Sequence, residues 1–131
     1  GLQAPEVIAA NACCMVFTAD GRLFLQNTRA SESISVQTTG TVEVTGDVSA
    51  GQDVSITSAE DLVLAANARL VAESATVLNL DGDLNVQSNA ELAATRFDLD
   101  IAGAFQIGRG ADVTSVETVS ADVESLTNYG T

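Results

Sequence analysis

The sequence contains no histidine, lysine or tryptophan, one proline, and only five basic residues, all arginines, among 131 residues. Histidine and lysine are common general bases and activated nucleophiles, so their absence disfavours acid–base and covalent catalysis. The 18 acidic residues give a formal net charge of −13. A surface of this charge repels nucleic-acid phosphates and anionic lipids, so we expect no nucleic-acid partner and no membrane insertion.

The chain also lacks targeting features. No stretch approaches the roughly 18 consecutive apolar residues of a membrane-spanning helix, and no basic segment followed by an apolar run predicts a signal peptide. Secretion is compatible with a mature product or a fragment. The two cysteines, Cys13 and Cys14, are adjacent, and neighbours on a strand point to opposite faces. Two interpretations stay open for them, free thiols with one buried or an intermolecular disulfide.

The dominant pattern is a repeat of short apolar-x-apolar pairs from Leu23 onward. Alternation with period two predicts short strands with one buried face. The spacing of the pairs predicts three columns of inward residues. They are Ile34, Val54, Leu78, Leu99 and Val119; Val42, Leu62, Leu84, Phe105 and Leu126; and Leu23, Val48, Leu70, Leu92 and Val113.

Three columns of apolar residues that recur at the same interval are expected when a chain coils around a triangular core. A β-sandwich does not require them. We therefore predict an all-β fold, a single-chain, three-sided, right-handed parallel β-solenoid with about 21 residues per coil. Residues 23–131 form the solenoid repeats in this prediction, and residues 1–22 form an irregular N-terminal coil or cap.

Residues of the predicted corners support the same register. Thr45, Asn67, Asn89 and Gly110 each lie three residues before a third-column position, and Asn and Gly tolerate the left-handed conformation of a sharp bend. An aspartate directly precedes an inward residue at six places: Asp47, Asp53, Asp61, Asp83, Asp98 and Asp112. We expect these carboxylates to accept hydrogen bonds from the backbone amides that follow them.

Several segments carry a family resemblance: GDVSAGQDVSITSAEDLVLAANARLVAES (Gly46 to Ser74), LDGDLNVQSNAELAA and the closing SLTNYGT. They resemble the central repeats of filamentous haemagglutinin-type exoproteins of two-partner secretion, including contact-dependent inhibition stalks, over about residues 40–131. The resemblance implies a right-handed β-helix in an extended stalk or adhesive fibre outside an outer membrane, exported through a partner pore. The family's N-terminal secretion domain is not visible here, and the cysteine pair is unusual for it.

Candidate chemistry is confined to carboxylates. Paired acids such as Asp98 and Asp100, or Asp81 and Asp83, are the residue types of a glycosidase, but the corners are short and aromatics are few. The Asp81-Gly82-Asp83 turn offers hard oxygen ligands for calcium, yet neither a calcium-roll repeat nor an EF-hand loop occurs. Solvated carboxylates are the favoured interpretation. We therefore predict no catalytic residue, no cofactor and no metal site.

The sequence thus predicts a non-enzymatic structural or adhesive segment of a secreted or cell-surface bacterial exoprotein, located outside the cell. The expected partners are a second copy bound end to end, or a continuation into a longer chain, and a host-cell or carbohydrate receptor. Two alternatives stay open. One is the shaft of a trimeric phage-tail or type VI-like spike, and the other is a self-polymerising β-helical filament subunit resembling bactofilins.

Overall fold

The computed structural model describes residues 6–8, 11–12 and 14–131, and the described residues form strands and turns without a helix. The strands, numbered in chain order, are β1 (Glu6–Ile8), β2 (Asn11–Ala12), β3 (Met15–Ala19), β4 (Leu23–Leu25), β5 (Thr28–Ala30), β6 (Ile34–Thr38), β7 (Val42–Val44), β8 (Asp47–Ala50), β9 (Val54–Ser58), β10 (Leu62–Leu64), β11 (Arg69–Ala72), β12 (Ala75–Leu80), β13 (Leu84–Val86), β14 (Glu91–Ile107) and β15 (Asp112–Asn128).

The strands stack into three parallel ladders. Ladder A contains β1, β4, β7, β10 and β13, then residues 105–107 of β14 and 126–128 of β15. Ladder B contains β2, β5, β8 and β11, then residues 91–94 and 112–115. Ladder C contains β3, β6, β9 and β12, then residues 96–101 and 118–123. Each coil gives one strand to each ladder, which confirms the predicted parallel β-solenoid.

Ladder A measures the coil length directly. Its in-register partners are Leu23, Val42, Leu62, Leu84, Phe105 and Leu126. The steps between these positions agree with the predicted coil of about 21 residues, which is therefore confirmed. Five steps at the usual strand spacing of about 4.8 Å give a rod of roughly 24 Å from Leu23 to Leu126.

The core is a column of aliphatic side chains along the rod axis. Strand residues alternate between buried and more exposed positions, as in β6 and β9, and the inward leucines Leu62, Leu70 and Leu84 are fully buried. Burial of one such side chain contributes about 1.5–3 kcal/mol. Because every coil adds only a few of them, stability depends on stacking of coil upon coil.

The second predicted column is confirmed in full by ladder A, whereas the other two need correction. Leu23 was placed in the third column, but it pairs with Val42 in ladder A, and Thr28 is the residue that pairs with Val48. Thr28 is buried although it is polar, so a pattern based on apolar residues does not include it.

In the first column, Leu78 and Leu99 were placed two residues too far along the chain. Val54 pairs with Thr76, and Thr76 pairs with Phe97, while Leu78 pairs with Ile56. The cause is again a buried threonine at an inward position, since Thr76 has no exposed surface. A shift by two residues keeps every side chain on its predicted face, which is why the alternation alone did not reveal it.

The corner between ladders A and B changes along the rod. Two residues separate Leu25 from Thr28 and three separate Val44 from Val48, whereas five separate Leu64 from Leu70. Positive φ angles occur in the longer corners at Asn67 (67°), Asn89 (62°) and Gly110 (78°), as predicted. Thr45 does not share this conformation, because its corner is shorter.

The N-terminal strands follow the same three ladders. β1, β2 and β3 pair in parallel with β4, β5 and β6. The first step of ladder A, from Glu6 to Leu23, is shorter than every later step of that ladder. The division of the chain at residue 22 stays a prediction.

Candidate functional site

The outer edge of the last coil has no strand neighbour in the described part of the chain, because β15 pairs only with β14. Two inward positions of this coil are therefore exposed, whereas Val113 and Val123 are half-buried against the core. Val119 and Leu126 are each 59% exposed, although their partners Phe97 and Phe105 are 2% and 6% exposed. A strand edge of this kind is a template for further strand pairing.

Thr131 covers one corner of this edge. The Val113 N–H donates to the Thr131 carbonyl at 2.7 Å, and the Thr131 N–H donates to the Ala111 carbonyl at 2.8 Å. These bonds place Thr131 over the start of β15. Residues 118–128 stay uncovered, and exposed hydrophobic side chains lie in or beside them: Val116, Val119, Leu126 and Tyr129.

Three of the six aspartates named at the corners act as hydrogen-bond acceptors for backbone amides, but their partners lie one coil later than predicted. Asp61 Oδ1 accepts from the Asp83 N–H at 2.7 Å, and Asp83 Oδ1 accepts from the Ala104 N–H at 2.8 Å. Asp53 Oδ1 likewise accepts from the Ala75 N–H at 3.0 Å. Expecting the donor in the same turn was wrong, because the coil above brings its own amide over each carboxylate. These bonds tie neighbouring coils together.

The structure places the carboxylate pairs named from the sequence on the outside of the rod, where all four side chains are exposed. Asp98 and Asp100 both lie on the exposed face of β14, and Asp100 pairs with Asp122, so that two like charges stand side by side. Among the described residues, no group of three or more histidine, cysteine, aspartate or glutamate side chains is arranged to hold a metal ion.

A polar cleft of about 330 Å³ follows ladder C at its corner with ladder A. Its lining is mainly hydroxyl, amide and carboxylate: Thr18, Gln37, Thr38, Thr39, Thr57, Ser58, Ala59, Asn79 and Asp81. Two of these side chains are buried and satisfied by the previous coil, since Thr38 Oγ1 donates to the Gly21 carbonyl and Ser58 Oγ donates to the Gly40 carbonyl at 2.6 Å. The lining contains no aromatic ring on which a sugar could stack.

Of the two cysteines, the structure describes Cys14, which lies between β2 and β3. Cys14 is exposed, and its Sγ donates to Glu32 Oε2 at 3.3 Å. Cys13 lies outside the described residues. The two interpretations of this pair stay open.

Val119 and Leu126 occupy inward ladder positions, as their alternation in the sequence predicts, since they pair with Phe97 and Phe105. Sequence reasoning did not identify Val116 and Tyr129, which are exposed hydrophobic residues of the same part of the chain.

The described residues include no helix of the length and hydrophobicity that crossing a bilayer requires. In comparisons with known proteins, no family model matches the chain, and no curated protein or solved structure is similar to it.

Proposed function

We propose that this chain is a structural rod element, a stalk or fibre segment of a secreted or cell-surface bacterial exoprotein. The observation that carries the proposal is the continuous axial core, in which Leu23, Val42, Leu62, Leu84 and Phe105 stack in register from coil to coil. A core of this form gives length and stiffness, and it grows by addition of identical steps.

The proposal assigns no catalytic role to the chain. The sequence offers no histidine or lysine as a general base, and three of its corner aspartates, Asp53, Asp61 and Asp83, accept hydrogen bonds from backbone amides of the next coil. Carboxylates used in this way hold the rod together, and the remaining acidic residues keep its surface soluble.

Location outside the cell is supported by the resemblance of residues 40–131 to filamentous haemagglutinin-type repeats. Adhesion, export through a partner pore and a carbohydrate or host-cell receptor belong to the same proposal. The flat outer side of ladder C, with Ser35, Ser55 and Thr57, supplies the hydroxyl groups that such a receptor contact would use.

Extension of the rod tests the structural role. Insertion of a second copy of residues 84–104 after residue 104 adds one full coil, because Phe105 takes the ladder position of Leu84. We expect small-angle scattering to show a rod longer by about 4.8 Å, with a higher free energy of unfolding. As a matched control, an insertion of half a coil at the same place breaks the register and should lower stability. A folded, longer rod from the control, or an unfolded protein from the full coil, contradicts the proposal.

Exposure on the cell surface is tested separately by expression with a two-partner secretion pore. We expect external protease to remove the chain from intact cells only when the pore is present. Retention inside the cell with the pore present would overturn the extracellular part of the proposal and leave the rod itself unaffected.

The trimeric-spike alternative is less well supported. A spike of this type builds each layer from strands of three chains, whereas ladders A, B and C are all built from one chain. The filament alternative uses the same single-chain solenoid as the favoured proposal, so the three ladders do not separate the two.

A further inference from the structure

We infer that the outer side of ladder C binds a neutral, extended polysaccharide of β-1,4-linked sugars, which lies along the rod axis in the polar cleft. The inference rests on the proposed function, because it gives the chemical class and the position of the receptor contact included there. Four outward side chains that pair in register carry the site, and we call them the polar row: Thr18, Gln37, Thr57 and Asn79.

The first support is that the polar row is exposed and that the fold does not use its side chains. Nearby hydroxyl groups join one coil to another, since Thr39 Oγ1 donates to Asp20 Oδ1 at 2.5 Å. Thr41 Oγ1 likewise donates to Glu60 Oε1 at 3.3 Å. By contrast, the side chains of the polar row are exposed and form no hydrogen bond with another described residue. Their donor and acceptor groups are therefore free to bind a ligand.

The second support is that this part of a strongly acidic surface is uncharged. The outward row beside the polar row, from β3 to β12, carries no charge either: Val16, Ser35, Ser55 and Val77. One coil later both rows become acidic, at Asp98 and Asp100. The net charge of −13 repels an anionic ligand, and the acidic coils attract a cationic one away from the polar row. The uncharged rows therefore favour a neutral ligand that forms hydrogen bonds.

The third support is the polar cleft itself. The whole polar row lines it, and its volume of about 330 Å³ lies at the lower end of the range for small-ligand pockets. Thr38 and Ser58 of the lining are buried and held by hydrogen bonds to carbonyl groups of the previous coil, so the cleft is formed before a ligand binds. Asp81 is the charged residue of the described lining. Its carboxylate can accept strong hydrogen bonds from sugar hydroxyl groups, and it repels a carboxylated chain.

The spacing of the polar row selects the shape of the ligand. Neighbouring members lie one strand apart, so the three steps from Thr18 to Asn79 span about 14 Å along the rod axis. An extended chain of β-1,4-linked sugars advances by nearly one strand spacing per ring, so successive rings meet successive members of the row. The amides of Gln37 and Asn79 both donate and accept, which matches neighbouring hydroxyl groups of one ring. An α-1,4-linked chain coils, and its rings lose this match.

Binding of a short fragment should be weak. The described lining contains no aromatic ring, so each contact exchanges a hydrogen bond with water for a hydrogen bond with sugar and gains little free energy. We expect a dissociation constant in the millimolar range for a tetrasaccharide. When several rods are joined in one fibre, they bind the same polysaccharide at several places, and the avidity exceeds the affinity of a single rod.

Three polysaccharides test the ligand class by affinity electrophoresis of the whole chain. Hydroxyethyl cellulose in the gel should slow the protein, because it is neutral and β-1,4-linked. Carboxymethyl cellulose has the same backbone with negative charges, and soluble starch is neutral but α-1,4-linked, so neither should slow it. Equal retardation by either of these two polymers, or no retardation by hydroxyethyl cellulose, overturns the inference.

A pair of double variants tests the position of the site, with cellotetraose binding followed by nuclear magnetic resonance. Gln37→Ala with Asn79→Ala should weaken binding by at least about tenfold, because both amides of the polar row are lost. Asn85→Ala with Gln106→Ala is the matched control, since it removes the same two residue types from the outward row of ladder A. Circular dichroism checks that both proteins are folded. Equal weakening in the two double variants, or unchanged binding in the first, overturns the inference.

The site and the rod function fail in different experiments. A chain that binds none of the three polysaccharides overturns the site in the polar cleft but leaves the rod standing, because coil insertion is measured without a ligand. A rod that fails to lengthen after coil insertion overturns the proposed function whatever the cleft binds.

Discussion

Gly82 lies directly over the carboxylate of Asp61, so close that a Cβ on residue 82 would overlap Asp61 Oδ1. The same oxygen accepts the Asp83 N–H at 2.7 Å, which explains why a glycine precedes the aspartate at this corner. The relationship recurs one coil later between Asp83 and Gly103. Glycine here makes room for a carboxylate that joins two coils.

Gly82→Ala should lower stability by about 1–3 kcal/mol, because the added methyl group meets both Asp61 Oδ1 and the Glu60 carbonyl oxygen. Urea unfolding measures the change. Ser35→Ala, on an exposed strand position, serves as the control and should change stability by less than about 0.5 kcal/mol. An unchanged unfolding midpoint for Gly82→Ala would show that the corner is looser than the structure indicates.

Asp61→Ala should cost about 1 kcal/mol, since the Asp83 N–H loses its acceptor. Asp61→Asn keeps an acceptor oxygen at the same place and should be closer to the original protein. Both variants remove one negative charge, so the difference between them isolates the hydrogen bond. Equal unfolding free energies for the two variants would contradict this role.

Thr76→Val should raise stability by up to about 1 kcal/mol. The Thr76 hydroxyl is buried in ladder C without a hydrogen-bond partner, and valine has the same shape without the polar atom. Thermal and urea unfolding check the prediction. Thr76→Ser is the control, because it keeps the hydroxyl and removes a methyl group, and it should be less stable than the original. A loss of stability in Thr76→Val would mean that the hydroxyl is satisfied in solution.

Leu84→Asp should unfold the rod, because Leu84 is fully buried between Leu62 and Phe105 and its replacement places a charge in the axial core. Leu126→Asp, in the same ladder but 59% exposed, should stay folded. Far-ultraviolet circular dichroism distinguishes the two. A folded Leu84→Asp variant would refute the assignment of ladder A.

Asn67→Ala should cost about 1–2 kcal/mol, because residue 67 has a φ of 67° and alanine meets the full left-handed penalty. Asn67→Gly relieves that penalty and should be close to neutral. Ranking by unfolding free energy, with glycine above alanine, is the expected result. Equal losses of stability in the alanine and glycine variants would show that the asparagine side chain, rather than the backbone conformation, matters at this corner.

The sequence predicts the strands because apolar residues alternate with polar ones along each strand. It predicts the coil length and the whole of the second column because stacked strands place apolar pairs at nearly constant intervals along the chain. It fails where the inward residue is polar. Thr28 and Thr76 are buried, yet an apolar pattern gives no reason to include them, so Leu23 and Leu78 were assigned to the wrong partners. The interval between positions could have identified the correct residue, since Thr76 follows Val54 by one coil.

What the sequence by itself determined is the architecture, because alternation fixes which side chains point inward and the constant repeat fixes how the coils stack. Only the tertiary structure decided which atoms join the coils. The Asp61 carboxylate accepts a hydrogen bond from the Asp83 N–H, which belongs to the next coil. The stacking of that coil on Asp61 selects this amide as the partner. The structure also decided that Thr76, and not Leu78, pairs with Val54, because the stacking of the coils rather than hydrophobicity selects the residue that lies next to Val54.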